Sequence, residues 1–275
     1  MDTPVNTTDE DAIQTLFERH LDIGLQHGAQ LVVYNGTDRV IDLAGGVTGP
    51  DGAPTTPDTR HLIWSCTKPY AATCIHQLVE AGELDYDDPV TDHWPGFTRG
   101  DDAKADVTVR HVLSHQTGMP TSDLDDDPSG WTDWEHIVDV METQELADPP
   151  GTTAAYHTVT FGWLVGELVR QVTGTPIEEY AREHIFEPLG LDDTSIGVRD
   201  GAPKDVATVT GFEIFDRARD PGEGLVDLSP EAAAALGNDP DIRQAVIPAA
   251  NGISTARDMG RFLACMANGG AIDGT

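Results

Sequence analysis

The sequence predicts a mixed α/β (α+β) fold, because helix and strand patterns both occur along the chain. A helical pattern over residues 8–26 precedes two β-rich runs, residues 30–34 and 39–44, with a hairpin signal at Asn35-Gly36 between them. Further amphipathic stretches indicate a largely helical middle. With 275 residues and 39% hydrophobic content, the chain can bury a substantial core, as one large domain or two small ones.

The other elements are predicted from apolar spacing and helix-end signals. Thr108 precedes a short helix over residues 109–115, and Gly174 follows a helix that carries Leu164 and Leu168. The remaining expectations are a loop at residues 84–97, helices at residues 131–145, 176–185, 230–236 and 256–267, and a strand at residues 208–215. Because no clear linker interrupts this order, we expect a single domain over residues 1–275.

The strongest chemical signal is the segment Trp64-Ser65-Cys66-Thr67-Lys68-Pro69. An apolar helical pattern follows it, and proline is tolerated only in a first helical turn, so the helix must begin close to Ser65. Ser65 and Lys68 are three residues apart and therefore share one face of that turn. A serine hydroxyl needs a base within hydrogen-bond reach, and a partly desolvated lysine can be that base. The Ser65 N–H, at the positive helix end, is placed to help hold an oxyanion.

A Ser-x-x-Lys tetrapeptide also occurs by chance, as an N-cap serine followed by a solvated lysine. Lysine is scarce here, however, because only Lys68, Lys104 and Lys204 occur among 16 basic residues. A lysine kept at the head of an apolar helix therefore favours a chemical role. Cys66 is a rival nucleophile, but adjacent helical residues point about 100° apart. Cys66 cannot share the face of Ser65 and is expected to be a small core residue.

The net charge of −32 argues against nucleic acid or an anionic membrane as partner. Aspartate outnumbers glutamate by 33 to 15, and acids occur in every polar segment. This composition resembles that of halophilic proteins and predicts an acidic surface that needs screening by salt. No apolar run reaches membrane-spanning length and residues 1–12 lack the pattern of a secretory signal, so cytoplasmic residence is expected. The three cysteines show no disulfide or metal pattern.

His111 and His115 are four residues apart and would share a helical face, so a metal pair has to be considered. No glutamate accompanies the first histidine, and no third ligand lies nearby in sequence. Structural histidines are the favoured interpretation. The expected chemistry requires neither a metal nor a cofactor.

Four motifs follow one another along the chain. They are Ser65-x-x-Lys68, the segment 108–118, Pro150-Gly151-Thr152 before Tyr156, and the Glu-Pro-Leu-Gly-Leu run at residues 187–191. In this order they resemble the β-lactamase/transpeptidase-like serine hydrolases, over about residues 58–196 and again over residues 251–270. The likeness is strongest to the class C β-lactamases and the family VIII carboxylesterases. The motifs that favour the esterase branch are Asp88-Pro89-Val90, Tyr156-His157, Gly162-Trp163 and Ala250-Asn251-Gly252.

The resemblance implies an α/β domain in which an antiparallel sheet is flanked by helices, with a largely helical inserted region at roughly residues 85–200. It also implies that Ser65 is the acylated nucleophile, that Lys68 accepts its proton, and that Tyr156 passes this proton to the leaving group. The implied substrate-binding residues are Thr158, His157 and Asn251.

Two departures from the family pattern bear on function. The usual Tyr-x-Asn has Thr158 as its third residue, and a hydroxyl has one proton to donate where an asparagine amide can donate and accept at once. This weakens a contact to a β-lactam side chain and favours an esterase. The family's Lys/His-x-Gly strand should follow the helix at residues 256–267, so the closing strands and a second oxyanion donor are expected beyond Thr275.

The sequence therefore predicts a serine hydrolase, with a carboxylesterase acting on small esters through an acyl-enzyme as the first hypothesis. The alternatives are a β-lactamase or D-amino-peptide hydrolase of the same family, and a non-catalytic member that binds a peptide or β-lactam. A metal hydrolase using the histidine pair is a remote third. The expected partner is a small-molecule ester or amide, and the sequence leaves the oligomeric state open.

Overall fold

The computed structural model of the protein describes residues 7–125, 127–198, 206–210 and 229–275. Helices and short antiparallel strands are both present, which confirms the predicted α/β class. The helices are α1 (Thr7–Asp22), α2 (Lys68–Glu80), α3 (Val90–His93), α4 (Val109–Leu113), α5 (Trp134–Thr143), α6 (Thr160–Thr173), α7 (Ile177–Ala181), α8 (Glu187–Leu189), α9 (Pro230–Asn238), α10 (Pro240–Gln244) and α11 (Ala256–Ala267). The strands are β1 (Gly28–Asn35), β2 (Asp38–Gly46), β3 (His61–Leu62), β4 (Ser195–Ile196) and β5 (Gly252–Ser254).

The predicted hairpin is the two-stranded sheet of β1 and β2. The strands are antiparallel, and Asn35 lies opposite Asp38 across a tight turn. Gly36 in this turn has φ +62°, a conformation that glycine adopts without steric cost. Helix α1 packs on β2 and α11 packs on β1, so the hairpin joins the first and last described helices.

A second sheet, which the sequence pattern did not predict, supports the segment around Ser65. Its order is β3-β5-β4, and both pairings are antiparallel. Strands of two or three residues are too short for an alternating pattern to appear. The strand predicted at residues 208–215 is not found where it can be checked: residues 208–210 form no strand, and residues 211–215 lie outside the described part.

Most predicted helices are present with shifted ends. Helix α11 has the predicted bounds, whereas α5 begins later than expected because residues 128–132 form a separate 3₁₀ turn. The predicted loop at residues 84–97 contains the short helix α3. Every described element between α2 and β4 is helical, which agrees with a helical inserted region. The assignment of residues 1–275 to one domain stays a prediction.

Helix α6 is the centre of the packing. Its residues from Thr160 to Val169 are all buried, against α2 on one side and α5 on another. Glu167 is fully buried in this helix and forms a two-point ion pair with Arg170, 2.7 and 2.8 Å. The same carboxylate accepts from Trp134 Nε1 at 2.9 Å and from Gln171 Nε2 at 2.6 Å. These four hydrogen bonds compensate the burial of the charge.

Replacement of Glu167 should therefore be costly. We expect Glu167→Ala to lower the free energy of unfolding by about 3 kcal/mol, because it leaves the half-buried Arg170 guanidinium and the Trp134 indole N–H without their buried acceptor. The exposed Glu145 provides the matched control, and Glu145→Ala should change the free energy by less than about 0.5 kcal/mol. Urea unfolding at constant high salt measures both. Equal effects of the two substitutions would contradict this account of α6.

Candidate active site

Ser65 lies in a 3₁₀ turn, Trp64–Thr67, directly before α2. Trp64 has φ +47°, a left-handed conformation that costs a non-glycine residue about 1–2 kcal/mol. The turn is fixed by Thr67, whose buried hydroxyl donates to Trp64 O at 2.6 Å and accepts from Gly252 N at 2.8 Å. Strand β5 thus holds the strained turn, and Ser65 remains exposed on its outer side.

Gly252 is the residue that permits this close approach. Its carbonyl accepts from Ile63 N at 2.8 Å while its N–H binds Thr67, so both backbone groups contact the turn. A Cβ at Gly252 would lie 2.6 Å from Thr67 Oγ1 and 3.0 Å from the Ile63 side chain. The glycine is required here by proximity.

Lys68 begins α2 and points its amine into a small cage of acceptors. Its side chain is only 8% exposed. The Nζ atom lies 3.2 Å from Ser65 Oγ, 2.8 Å from Thr158 O and 3.0 Å from Ala249 O. The two carbonyls can only accept, so they fix two N–H groups of the amine. The third position of the nitrogen then faces the serine hydroxyl, as a proton acceptor when the amine is neutral.

The surroundings of Lys68 favour this neutral form. Burial lowers its pKa from the usual lysine value, and the nearby Tyr156 hydroxyl offsets part of this effect. Among the ion pairs of the described residues, none joins Lys68 to a carboxylate. A carboxylate beside the amine would stabilise its protonated form.

Tyr156 completes the group that the family resemblance implies. Lys68 Nζ lies 4.7 Å from the centroid of the Tyr156 ring, and Tyr156 as a residue is 40% exposed. On its other side the ring contacts the imidazole of His115, with 4.8 Å between centroids. The structure therefore brings Ser65, Lys68 and Tyr156 to one place, although Tyr156 is distant in sequence.

Thr158 contributes to this place through its backbone. Its carbonyl oxygen is an acceptor for the Lys68 amine, and its side chain is half-buried. The sequence reasoning considered only the Thr158 hydroxyl, as a substitute for an asparagine amide. The carbonyl contact cannot be read from the residue type, since every residue has a carbonyl.

His157 does not lie where a substrate would meet it, and the expectation that it binds substrate needs correction. Its side chain is 1% exposed. Nδ1 lies 2.5 Å from Ala155 O, so Nδ1 carries the proton. Nε2 then accepts from the hydroxyl of Thr117 at 2.6 Å. Both ring nitrogens form hydrogen bonds to buried protein atoms, so His157 stabilises the loop that carries Tyr156.

Asn251 is likewise buried, with 2% of its surface exposed. Its amide nitrogen donates to Ile242 O at 3.0 Å and to Ala245 O at 2.5 Å, and its oxygen accepts from Ile247 N at 3.0 Å. The expected role in substrate binding is therefore not supported. Asn251 instead folds the segment that leads to Ala249, whose carbonyl holds Lys68.

The prediction that Cys66 is a core residue is wrong, because its side chain is exposed. It sits in the 3₁₀ turn before the apolar stripe of α2 begins, so it has no core to enter. The two histidines considered as a metal pair have different partners. His111 Nδ1 accepts from Thr108 N at 3.2 Å, and His115 Nδ1 accepts from His157 N at 3.1 Å. Within the described ranges, no group of three potential metal ligands occurs.

Sequence reasoning missed two contributors to the site, Ala249 and His115. Ala249 acts through a carbonyl, which leaves no signal in the sequence. Its position depends on a close approach of α6, because a Cβ at Gly162 would collide with the Ala249 backbone. His115 was considered only as a metal ligand, and its contact with Tyr156 joins residues 41 positions apart in the sequence.

Comparison with known proteins shows which family the chain belongs to. The family model described as Beta-lactamase matches residues 13–274. The chain belongs to the beta-lactamase family. This agrees with the resemblance inferred from the four motifs, and the family includes proteins named for several hydrolytic activities.

Three members illustrate the range. The Esterase/beta-lactamase LipL of Mycobacterium tuberculosis is 35% identical over 271 residues, which cover 90% of this chain and 60% of LipL. The crystal structure of a family VIII carboxylesterase is 29% identical with a TM-score of 0.85, over 99% of this chain and 73% of that one. A penicillin-binding protein homolog from Caulobacter crescentus is 33% identical with a TM-score of 0.80, also over 99% and 73%. The chain thus spans about 60% of the length of LipL.

The described helices were also compared with the dimensions of a membrane-spanning segment. None of them combines the length and the apolar character needed to cross a bilayer.

The buried histidines predict acid sensitivity of the Tyr156 loop. Burial lowers the pKa of His157, and burial together with His157 and Lys68 lowers the pKa of His115 to about 4. Below the ordinary histidine pKa, both histidines bind protons in the unfolded chain but stay neutral in the folded protein, where their pKa values are lower. These groups therefore stabilise the fold above about pH 6.5, and this stability is lost as the pH falls towards 4.

We expect His157→Gln, which has an amide in place of a titrating ring, to lose less stability on acidification than the unmodified protein. Between pH 7.5 and pH 5, the free energy of unfolding should fall further for the unmodified protein than for the variant. Urea unfolding at both pH values in the same high salt measures it, and the comparison cancels the protonation of the surface carboxylates. Parallel curves for the two proteins would refute the linkage.

Proposed function

We propose that the protein is a serine hydrolase that forms an acyl-enzyme on Ser65, and that its substrates are small carboxylic esters. The observation that carries this proposal is the Lys68 amine, 3.2 Å from Ser65 Oγ with two carbonyls occupying its other positions. A buried amine with this geometry and a lowered pKa can act as a general base for the hydroxyl. Membership of the beta-lactamase family supports the same chemistry.

Acylation begins when neutral Lys68 takes the proton of the Ser65 hydroxyl. The oxygen attacks the ester carbonyl, and the carbon–oxygen double bond opens to an oxyanion. The N–H of Ser65 lies in the first turn of a helix, where backbone donors have no partner within the helix, and it is placed to stabilise this charge. The tetrahedral intermediate then collapses and breaks the bond to the leaving alcohol.

Tyr156 supplies the route for the proton. Its hydroxyl interacts with Lys68 and its ring is exposed towards solvent, so it can pass the proton from the lysine to the departing alkoxide. Water then attacks the acyl-enzyme and gives up a proton along the same path in reverse. This restores the Ser65 hydroxyl and releases the carboxylic acid.

The ester preference rests on two observations. Thr158 replaces the asparagine that would hold the side-chain amide of a β-lactam, and the family VIII carboxylesterase matches nearly the whole chain. A second candidate, β-lactam or D-amino-peptide hydrolysis, is favoured by the name of LipL and by the penicillin-binding protein homolog. We retain cytoplasmic residence and adaptation to high salt as proposals from the composition.

Substitution of Ser65 tests the proposal directly. We expect Ser65→Ala to reduce kcat/KM for a p-nitrophenyl acyl ester by about 10⁴-fold or more, since the nucleophile is lost. Cys66→Ala is the matched control, because Cys66 is the exposed neighbour that could compete for the same substrate. Its turnover should stay within about threefold of the unmodified protein. The assays are run in high salt, with a chromogenic cephalosporin alongside.

Ester turnover that survives Ser65→Ala, or that disappears in Cys66→Ala, would remove Ser65 as the nucleophile. Faster turnover of the cephalosporin than of the ester would favour the second candidate. Binding of either compound without any turnover would favour a non-catalytic member of the family.

A further inference from the structure

Residues on both sides of Tyr156 are bound by a single residue, His115. The N–H of Ala155 donates to the His115 carbonyl at 3.1 Å. The N–H of His157 donates to His115 Nδ1, also at 3.1 Å. One residue thus binds the peptide groups that precede and follow Tyr156.

The backbone of His115 is strained in the conformation that allows this double contact. It follows α4 with φ +59°, in the left-handed region that few non-glycine residues adopt. The imidazole then lies against the Tyr156 ring, 4.8 Å between centroids, and against the Phe161 ring at 5.0 Å. Strain of this kind persists where the surroundings fix it, and such residues cluster at functional sites.

The contact also determines the chemical form of the imidazole. Nδ1 accepts a backbone N–H, so the proton of the neutral ring is on Nε2. The titratable groups that face this ring are Lys68 from α2 and Tyr156 and His157 from the loop. A protonated ring would lose the acceptor for His157 N and would place a positive charge beside Lys68.

We propose that His115 is a positioning residue for Tyr156: its carbonyl and Nδ1 fix the backbone on either side of the phenol, and its ring holds the phenol beside Lys68. This inference rests on the proposed function, in which Tyr156 delivers a proton to the leaving alcohol. His115 touches neither substrate nor reacting atoms in this scheme and acts through Tyr156. Its loss should therefore affect substrates in proportion to their need for that proton.

Two esters with the same acyl group distinguish this role from a general structural one. A p-nitrophenyl ester has a leaving group that departs as a stable anion, whereas an alkyl ester needs its leaving oxygen protonated. We expect His115→Leu to lower kcat/KM, which reports acylation, by about 10- to 100-fold for the alkyl ester. For the p-nitrophenyl ester the change should be less than about threefold, because proton delivery contributes little.

Two further variants sharpen the test. His115→Asn keeps an acceptor oxygen and tolerates the left-handed backbone, so it should recover most of the alkyl-ester activity. In a Tyr156→Phe background, His115→Leu should cause no further change in the ratio of the two esters, because the group it positions is absent. His111→Leu is the matched control. It removes an imidazole of α4 whose Nδ1 also accepts a backbone N–H, and it should leave the ratio unchanged.

Labelling of Ser65 by a fluorophosphonate separates the possible failures. Suppose that the unmodified protein is labelled and active. If His115→Leu then lowers kcat/KM equally for both esters, or if its effect adds to that of Tyr156→Phe, the positioning role of His115 is overturned while the hydrolase proposal stands. If the unmodified protein is neither labelled nor active, the hydrolase proposal fails and the inference fails with it. Should His115→Leu not fold, as judged by near-ultraviolet circular dichroism, an alkyl-ester activity in His115→Asn as low as in Tyr156→Phe would contradict the proposal.

Discussion

The site depends on one constraint, which is that the Lys68 amine must stay buried and apart from any carboxylate. Aspartate and glutamate supply 48 of the 275 residues, so the fold has to keep many carboxylates away from this amine. A carboxylate at ion-pair distance would raise the pKa of Lys68 and oppose its proposed role as the base. The structure meets the constraint with neutral acceptors, the carbonyls of Thr158 and Ala249. They orient the amine without stabilising its charge as strongly as a carboxylate would.

Patterns of local origin were predictable from the sequence. The Asn35-Gly36 hairpin follows from its turn residues, and the helix that begins close to Ser65 follows from Pro69 in a first turn. The bounds of α11 follow from apolar spacing and helix-end signals. The Ser65–Lys68 contact is of the same kind, because residues three apart meet within one turn. The position of Tyr156 near this pair came from the family resemblance and not from spacing.

The failed expectations share a physical cause. His157 and Asn251 were selected because their side chains can bind a substrate, but such side chains also satisfy buried backbone groups. Residue type alone does not distinguish these uses, since the difference lies in burial. Cys66 is the opposite case, an apolar side chain left exposed because the chain turns before its helix begins. The strands β3, β4 and β5 were missed because two or three residues show no period.

The cage around Lys68 has a consequence for how the protein matures. Its carbonyls come from residues 90 and 181 positions further along the chain, and loop closure over such separations is slow. A nascent polypeptide on the ribosome therefore carries its serine and lysine long before Ala249 has been synthesised. Until Ala249 docks, the Lys68 amine lacks one of its two carbonyl acceptors. In the proposed mechanism, the acylating centre is therefore complete only once the tertiary structure has closed around Lys68.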